Sequence, residues 1–173
     1  IEGNPIGGKN NGQLLFGTAK RLCHSFSTCD VALDGMPVNA KVNTVILTAL
    51  AGGKESITNK DCHSAQLVLG DVLIPALHVP LIQGTVVYGA AAAGLKEGTV
   101  DGSLGTAHAF SRGILPLVNQ AREESALVID QNLRYRSDEN PVPDGLAKVA
   151  DAFRLALPQM EVNCMDIGTL KYP

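Results

Sequence analysis

Apolar residues recur at helical spacing along most of the chain. From Gln13 to Ser27, Leu14, Leu15, Thr18, Leu22 and Phe26 share one face, which predicts an amphipathic helix. A loop is expected through Cys29, Asp34, Gly35 and Pro37. A second helix follows over 38–51, with Val42, Val45, Ile46, Ala49 and Leu50 in phase and Gly52-Gly53 as its stop. Thr58 or Asn59 is placed to cap a third, with Asp61 in its first turn; it carries Ala65, Leu67, Val68, Val72 and Leu73 toward Pro75. Two prolines then predict a kink or break between Leu73 and Pro80.

The longest strongly apolar stretch, Val79 to Leu95, contains Gln83, Gly84 and Gly89, falls short of a membrane span, and reads as a buried core helix. A strand is possible over 85–88, but the alanine block behind it favours helix. Asp101 or Ser103 opens a helix through Phe110 and Val118 despite Pro116. A shorter one covers 123–133, residues 134–143 form an exposed loop, and Asp144 caps a last helix over 145–157 with Val149, Phe153 and Leu157 inward. The pattern predicts one all-α domain over 13–173, with six or seven helices. Residues 1–12, with four glycines and a proline, form an extended arm or linker.

Composition supports a packed core and narrows the function. Of 173 residues, 45% are hydrophobic and only 4% aromatic, so small aliphatic side chains must supply the packing and let helices approach closely. Net charge is −3 with no basic run, which leaves nucleic-acid binding without an electrostatic footprint. Residues 1–5 have neither the basic nor the apolar region of a signal peptide.

The four cysteines carry more information. Cys23, Cys29, Cys62 and Cys164 sit at segment edges and form no C-x-x-C pair, a pattern that favours two disulfides and a compartment outside the reducing cytosol. Three connectivities are open. The pairing favoured is Cys23–Cys29 as a local staple and Cys62–Cys164 as a tie between tail and core; the longer loop would contribute about 1–2 kcal/mol more through chain entropy. Cys23-His24 and Cys62-His63 also raise a zinc site, but helical neighbours point about 100° apart and seldom aim at one ion. His78 and His108 lie among apolar residues, where a partly buried histidine bonded to backbone is the commoner role. No nucleophile elbow, P-loop or paired-carboxylate site stands out, so the chain is expected not to be an enzyme and no catalytic residue is nominated.

Several segments in order resemble a known pattern: Lys20-Arg21-Leu22-Cys23, Phe26-Ser27-Thr28-Cys29, Val38-Asn39, Cys62, Pro80-Leu-Ile-Gln-Gly-Thr85 with Tyr88 beyond, Phe110 with Ile114-Leu-Pro116, and Cys164-Met-Asp-Ile-Gly168. Together they resemble the low-iron-inducible periplasmic protein family of algae, whose domain also occurs in phytotransferrins. The resemblance spans nearly the whole chain, which would be the C-terminal portion of such a domain. It implies a periplasmic, secreted or cell-surface helical domain. It also implies ferric iron uptake with carbonate as the synergistic anion, and Tyr88, Asp101 and His108 are the metal ligands it nominates. The competing expectation is a structural subunit of an extracellular assembly or fibre, with no metal chemistry, partnered by itself or by other cell-surface proteins. Neither reading involves nucleic acid or a transmembrane segment.

Overall fold

Packing of apolar helix faces organises the chain, and the computed structural model describes it over residues 15–31, 37–95, 100–135 and 140–171. The arm expected over residues 1–12 lies outside these residues. The order is α1 (Leu15–Phe26), β1 (Cys29–Val31), β2 (Pro37–Ala40), α2 (Lys41–Thr58), α3 (Cys62–Leu67), a π-helical segment (Val68–Leu73), α4 (Ile74–Ala92), α5 (Val100–Ala121), α6 (Glu123–Leu133), α7 (Leu146–Ala156) and α8 (Cys164–Ile167). The α3, π and α4 segments form one unbroken rod, Cys62–Ala92. The all-α expectation holds, with one addition. β1 and β2 pair antiparallel, Cys29 opposite Ala40, where a loop and the start of a helix were expected.

Helix α4 is the axis of the core. Val79, Ile82, Val86, Val87 and Ala90 are buried in one cluster with Leu22 and Phe26 of α1, Ile114 and Val118 of α5, Ile129 and Leu133 of α6, and Val149 and Phe153 of α7. A helix apolar on every side belongs inside a bundle, and this one is covered on nearly all of them. The rod Cys62–Ala92 is long and apolar enough to cross a membrane by length and composition alone, but its α4 part is spent on this core.

One glycine sets how closely α4 and α5 approach. A Cβ at Gly84 would lie 2.5 Å from the Phe110 ring, so the aromatic packs directly on the α4 backbone. One turn on, Tyr88 stacks on the same ring, with centroids 5.7 Å apart and planes 10° from parallel.

Helix boundaries depart from the sequence expectation in four places. First, α2 runs through Gly52-Gly53 to Thr58, because glycine accepts right-handed as well as left-handed backbone. The stop is Lys60 at φ 59°, with Asp61 N–H donating to Ser56 O across 2.9 Å. Second, Asp61 itself caps α3, its carboxylate accepting from Ser64 N at 3.0 Å, in place of Thr58 or Asn59. Third, the irregularity expected between Leu73 and Pro80 falls just before it, as the π segment. Pro75 has no N–H, and in a regular α-helix its ring would crowd the carbonyl four residues back; the π turn sits directly ahead of it, and the rod stays unbroken. Fourth, Asp144 does not cap α7. Gly145 holds that position at φ 86°, while Asp144 pairs with Asn132, accepting from Nδ2 at 3.2 Å and donating its own N–H to Oδ1 at 2.9 Å.

Candidate functional site

The quoted sequence motifs converge on one buried junction. Cys23, in the last turn of α1, is bonded to Cys29 at the start of β1, so the Phe26-Ser27-Thr28 bend between them is closed covalently. Gln83 of α4, only 1% exposed, reaches this bend and the tail together. Its Nε2 donates to Thr28 Oγ1 at 3.2 Å and to Ile167 O at 2.8 Å. The next residue, Gly168, has φ 77°, and a Cβ there would lie 2.3 Å from Phe26 O. Beyond it, Thr169 N donates to Phe26 O at 3.2 Å and Lys171 N to Ser25 O at 2.8 Å. The segments Phe-x-Thr-Cys, Pro-Leu-Ile-Gln-Gly-Thr and Cys-x-Asp-Ile-Gly are therefore three sides of one joint.

This joint replaces the tie expected from sulfur. Cys62 and Cys164 are both exposed free thiols, so the Cys62–Cys164 bond is not formed. Cys62 opens α3 and Cys164 opens α8, and the tail is held by amide hydrogen bonds and a glycine contact instead. The Cys23–Cys29 staple is the bond expected outside the reducing cytosol. It also removes Cys23 as a zinc thiolate, while His24 and His63 lie exposed on their helices.

The nominated iron ligands are placed as follows. Tyr88 is partly buried on α4 against Phe110. His108, on α5, has Nδ1 3.1 Å from Leu133 O and 3.4 Å from Tyr135 N, so this ring nitrogen is held against the backbone at the end of α6. Asp101 falls in the first turn of α5, and its side chain lies outside the described residues. Among the described residues, no group of three or more His, Cys, Asp or Glu is close enough together to hold a metal ion. His78, by contrast, is 7% exposed, and burial pushes its imidazole below the usual histidine range. Its Nδ1 finds no hydrogen-bond partner among the described residues. It is a neutral core histidine bordering a cleft of about 330 Å³ between α4, α5 and the turn at Met160.

The feature least explained by the core is the hairpin of α2 with α3 and the π segment. From Leu50 to Ile74 no residue is buried. Yet seven of the thirteen large apolar side chains exposed among the described residues lie between Lys41 and Ile74: Val45, Leu47, Ile57, Leu67, Leu69, Val72 and Ile74. Ile57 is 67% exposed and Leu69 48%. A groove of about 510 Å³ runs between the two helices, lined by Leu50, Ile57, Leu69 and Leu73. At the hairpin base a smaller cleft of about 170 Å³ joins Val45 and Val72 to Lys41, Asp71, Glu161 and Asp166. Apolar surface of this extent on a projecting element marks a contact site.

Sequence periodicity did not reveal it. The run Leu67-Val68-Leu69, then Val72-Leu73-Ile74, is wider than one helical stripe, and that width is its only signal. No family model, curated protein or solved structure matches the chain.

Proposed function

We propose that the chain is a structural subunit of an extracellular assembly, a helical module held by a disulfide staple and presenting the 41–74 hairpin to a neighbouring subunit. The observation that carries this reading is the unbroken stretch from Leu50 to Ile74 without a buried residue. A helical hairpin lacking its own core is stable in water only when something covers its apolar sides. The staple supports placement outside the cytosol, since reducing compartments keep such thiol pairs open.

Light scattering across a concentration series tests it. A particle mass above that of one chain, growing with concentration, is the expected result. A single-chain mass at every concentration would refute the reading. The ferric alternative has the family resemblance behind it and its own assay: titration with Fe(III), with and without bicarbonate, followed by the tyrosinate-to-iron absorption band. A band that requires Tyr88 would establish metal chemistry and displace the purely structural role.

A further inference from the structure

Two buried side-chain atoms among the described residues lack a hydrogen-bond partner, Asn43 Oδ1 and His78 Nδ1. Asn43 is tied down through its other amide atom, which donates to Phe16 O and Asn39 Oδ1. His78 has no such tie. Its Nε2 makes no hydrogen bond among the described residues either, but unlike Nδ1 it is not sealed from solvent. The ring therefore meets the cleft of about 330 Å³ along its Nε2 edge. We propose that this cleft is a binding site for a small organic cation, a primary ammonium carried on a short apolar body. The site lies on the α4–α5 body and does not depend on the subunit reading.

Size, lining and charge each narrow the ligand. The volume is at the small end of the range for ligand pockets. Pro75 and Met160 are buried in its wall beside half-buried Leu117, which gives an alkyl or aryl body an apolar contact. Burial keeps the His78 ring neutral, so it does not repel a cation. An N–H arriving at Nε2 selects the tautomer whose lone pair accepts it.

Charge at the rim has one sign. Glu161 is the only charged residue lining the cleft among the described residues, and its exposed carboxylate has no ion pair among them. It also lines the neighbouring cleft, where Asp71 and Asp166 outnumber Lys41. These carboxylates repel an anion and do nothing for a neutral alcohol, whereas an ammonium gains a charge-assisted hydrogen bond. A metal ion fits less well, because one imidazole and one carboxylate fall short of the set a protein-held ion needs.

Titration of the full, Cys23–Cys29-oxidised chain with n-hexylammonium tests the site, followed by NMR of the histidine ring nitrogens and the side-chain methyls. n-Hexanol and hexanoate serve as neutral and anionic comparators. The expected result is a saturable shift of His78 Nε2 with the Leu117 and Met160 methyls, roughly tenfold tighter for the ammonium than for hexanol and absent for hexanoate. Glu161→Gln should weaken the ammonium roughly tenfold and leave hexanol unchanged, and because Glu161 is exposed this variant keeps the fold. His78→Leu, with its amide spectrum showing that it is folded, should weaken the ammonium similarly. Asp151→Asn, an exposed carboxylate on α7, should change nothing. No saturation within the solubility of the amine would overturn the proposal. So would equal binding of hexanol and hexylammonium, or ammonium binding indifferent to Glu161→Gln.

Discussion

At the scale of single residues, the fold depends on positions where one atom more would not fit. Gly84 is the clearest. Alanine would gain about 1 kcal/mol of helix propensity at that site. It would also place a methyl 2.5 Å from the Phe110 ring, at the contact between α4 and α5. Overpacking of this kind costs about 1–3 kcal/mol, so Gly84→Ala should lower stability despite the propensity gain, as measured by urea denaturation. An unchanged or raised midpoint would mean that the ring has room to move. Gln83 is the polar counterpart. Gln83→Ala strands Ile167 O and Thr28 Oγ1 and should cost about 1–3 kcal/mol. Amide exchange should rise first at Thr169 and Lys171, whose N–H groups bond to the same bend. Of these residues, the sequence made the motifs visible but not their meeting point, because contacts between residues 28, 83 and 167 carry no local periodicity.

Among the elements, periodicity identified the helices, and local chemistry misplaced several of their ends. Gly52-Gly53 has the residues of a stop and is not one. The actual stops of α1 and α2 use Ser27 at φ 60° and Lys60 at φ 59°, residue types that do not announce left-handed backbone. Both ends are closed by backbone hydrogen bonds, Thr28 N to Cys23 O and Asp61 N to Ser56 O, which any residue type can make, so side-chain identity does not mark them. The staple between α1 and β1 closes a short loop and should contribute about 2 kcal/mol by the chain-entropy account. Reduction should therefore lower the thermal midpoint without removing the helical circular dichroism at low temperature; loss of helix on reduction would show that the staple holds more than its own bend.

His78 gives α4 a pH signature. Its pKa is depressed by burial in the folded state and ordinary, about 6.5, in the unfolded chain. The unfolded chain thus binds the extra proton first, and stability falls as pH drops below about 6.5 toward the folded value. Asp61 and Asp144 are also depressed, by hydrogen bonds from Ser64 and from Asn132 respectively, but they act only in the acid range. A His78→Leu variant should flatten the pH 5–7 slope and leave the acid limb in place. A slope that survives the substitution would assign the effect elsewhere.

Across the whole molecule, two parts have different physical character. The body, from α1 and α4 to the α8 tail, encloses a continuous apolar core and ties the α1–β1 bend, α4 and the tail together through the Gln83 joint. The hairpin is rooted in that core by Val42 and Ile46 of α2, but from Leu50 to Ile74 it has no buried residue and carries apolar side chains that the body does not cover. The cysteine pattern pointed to compartment and to the local staple. It misjudged the tail, which is tied by hydrogen bonds and leaves Cys62 and Cys164 as exposed thiols. The most direct measurement of what the hairpin does is amide hydrogen exchange over residues 50–74 at increasing protein concentration. Coverage by a neighbouring copy predicts protection that climbs with concentration in this segment while α4 and α5 stay constant. Protection that is low and identical at every concentration would contradict it.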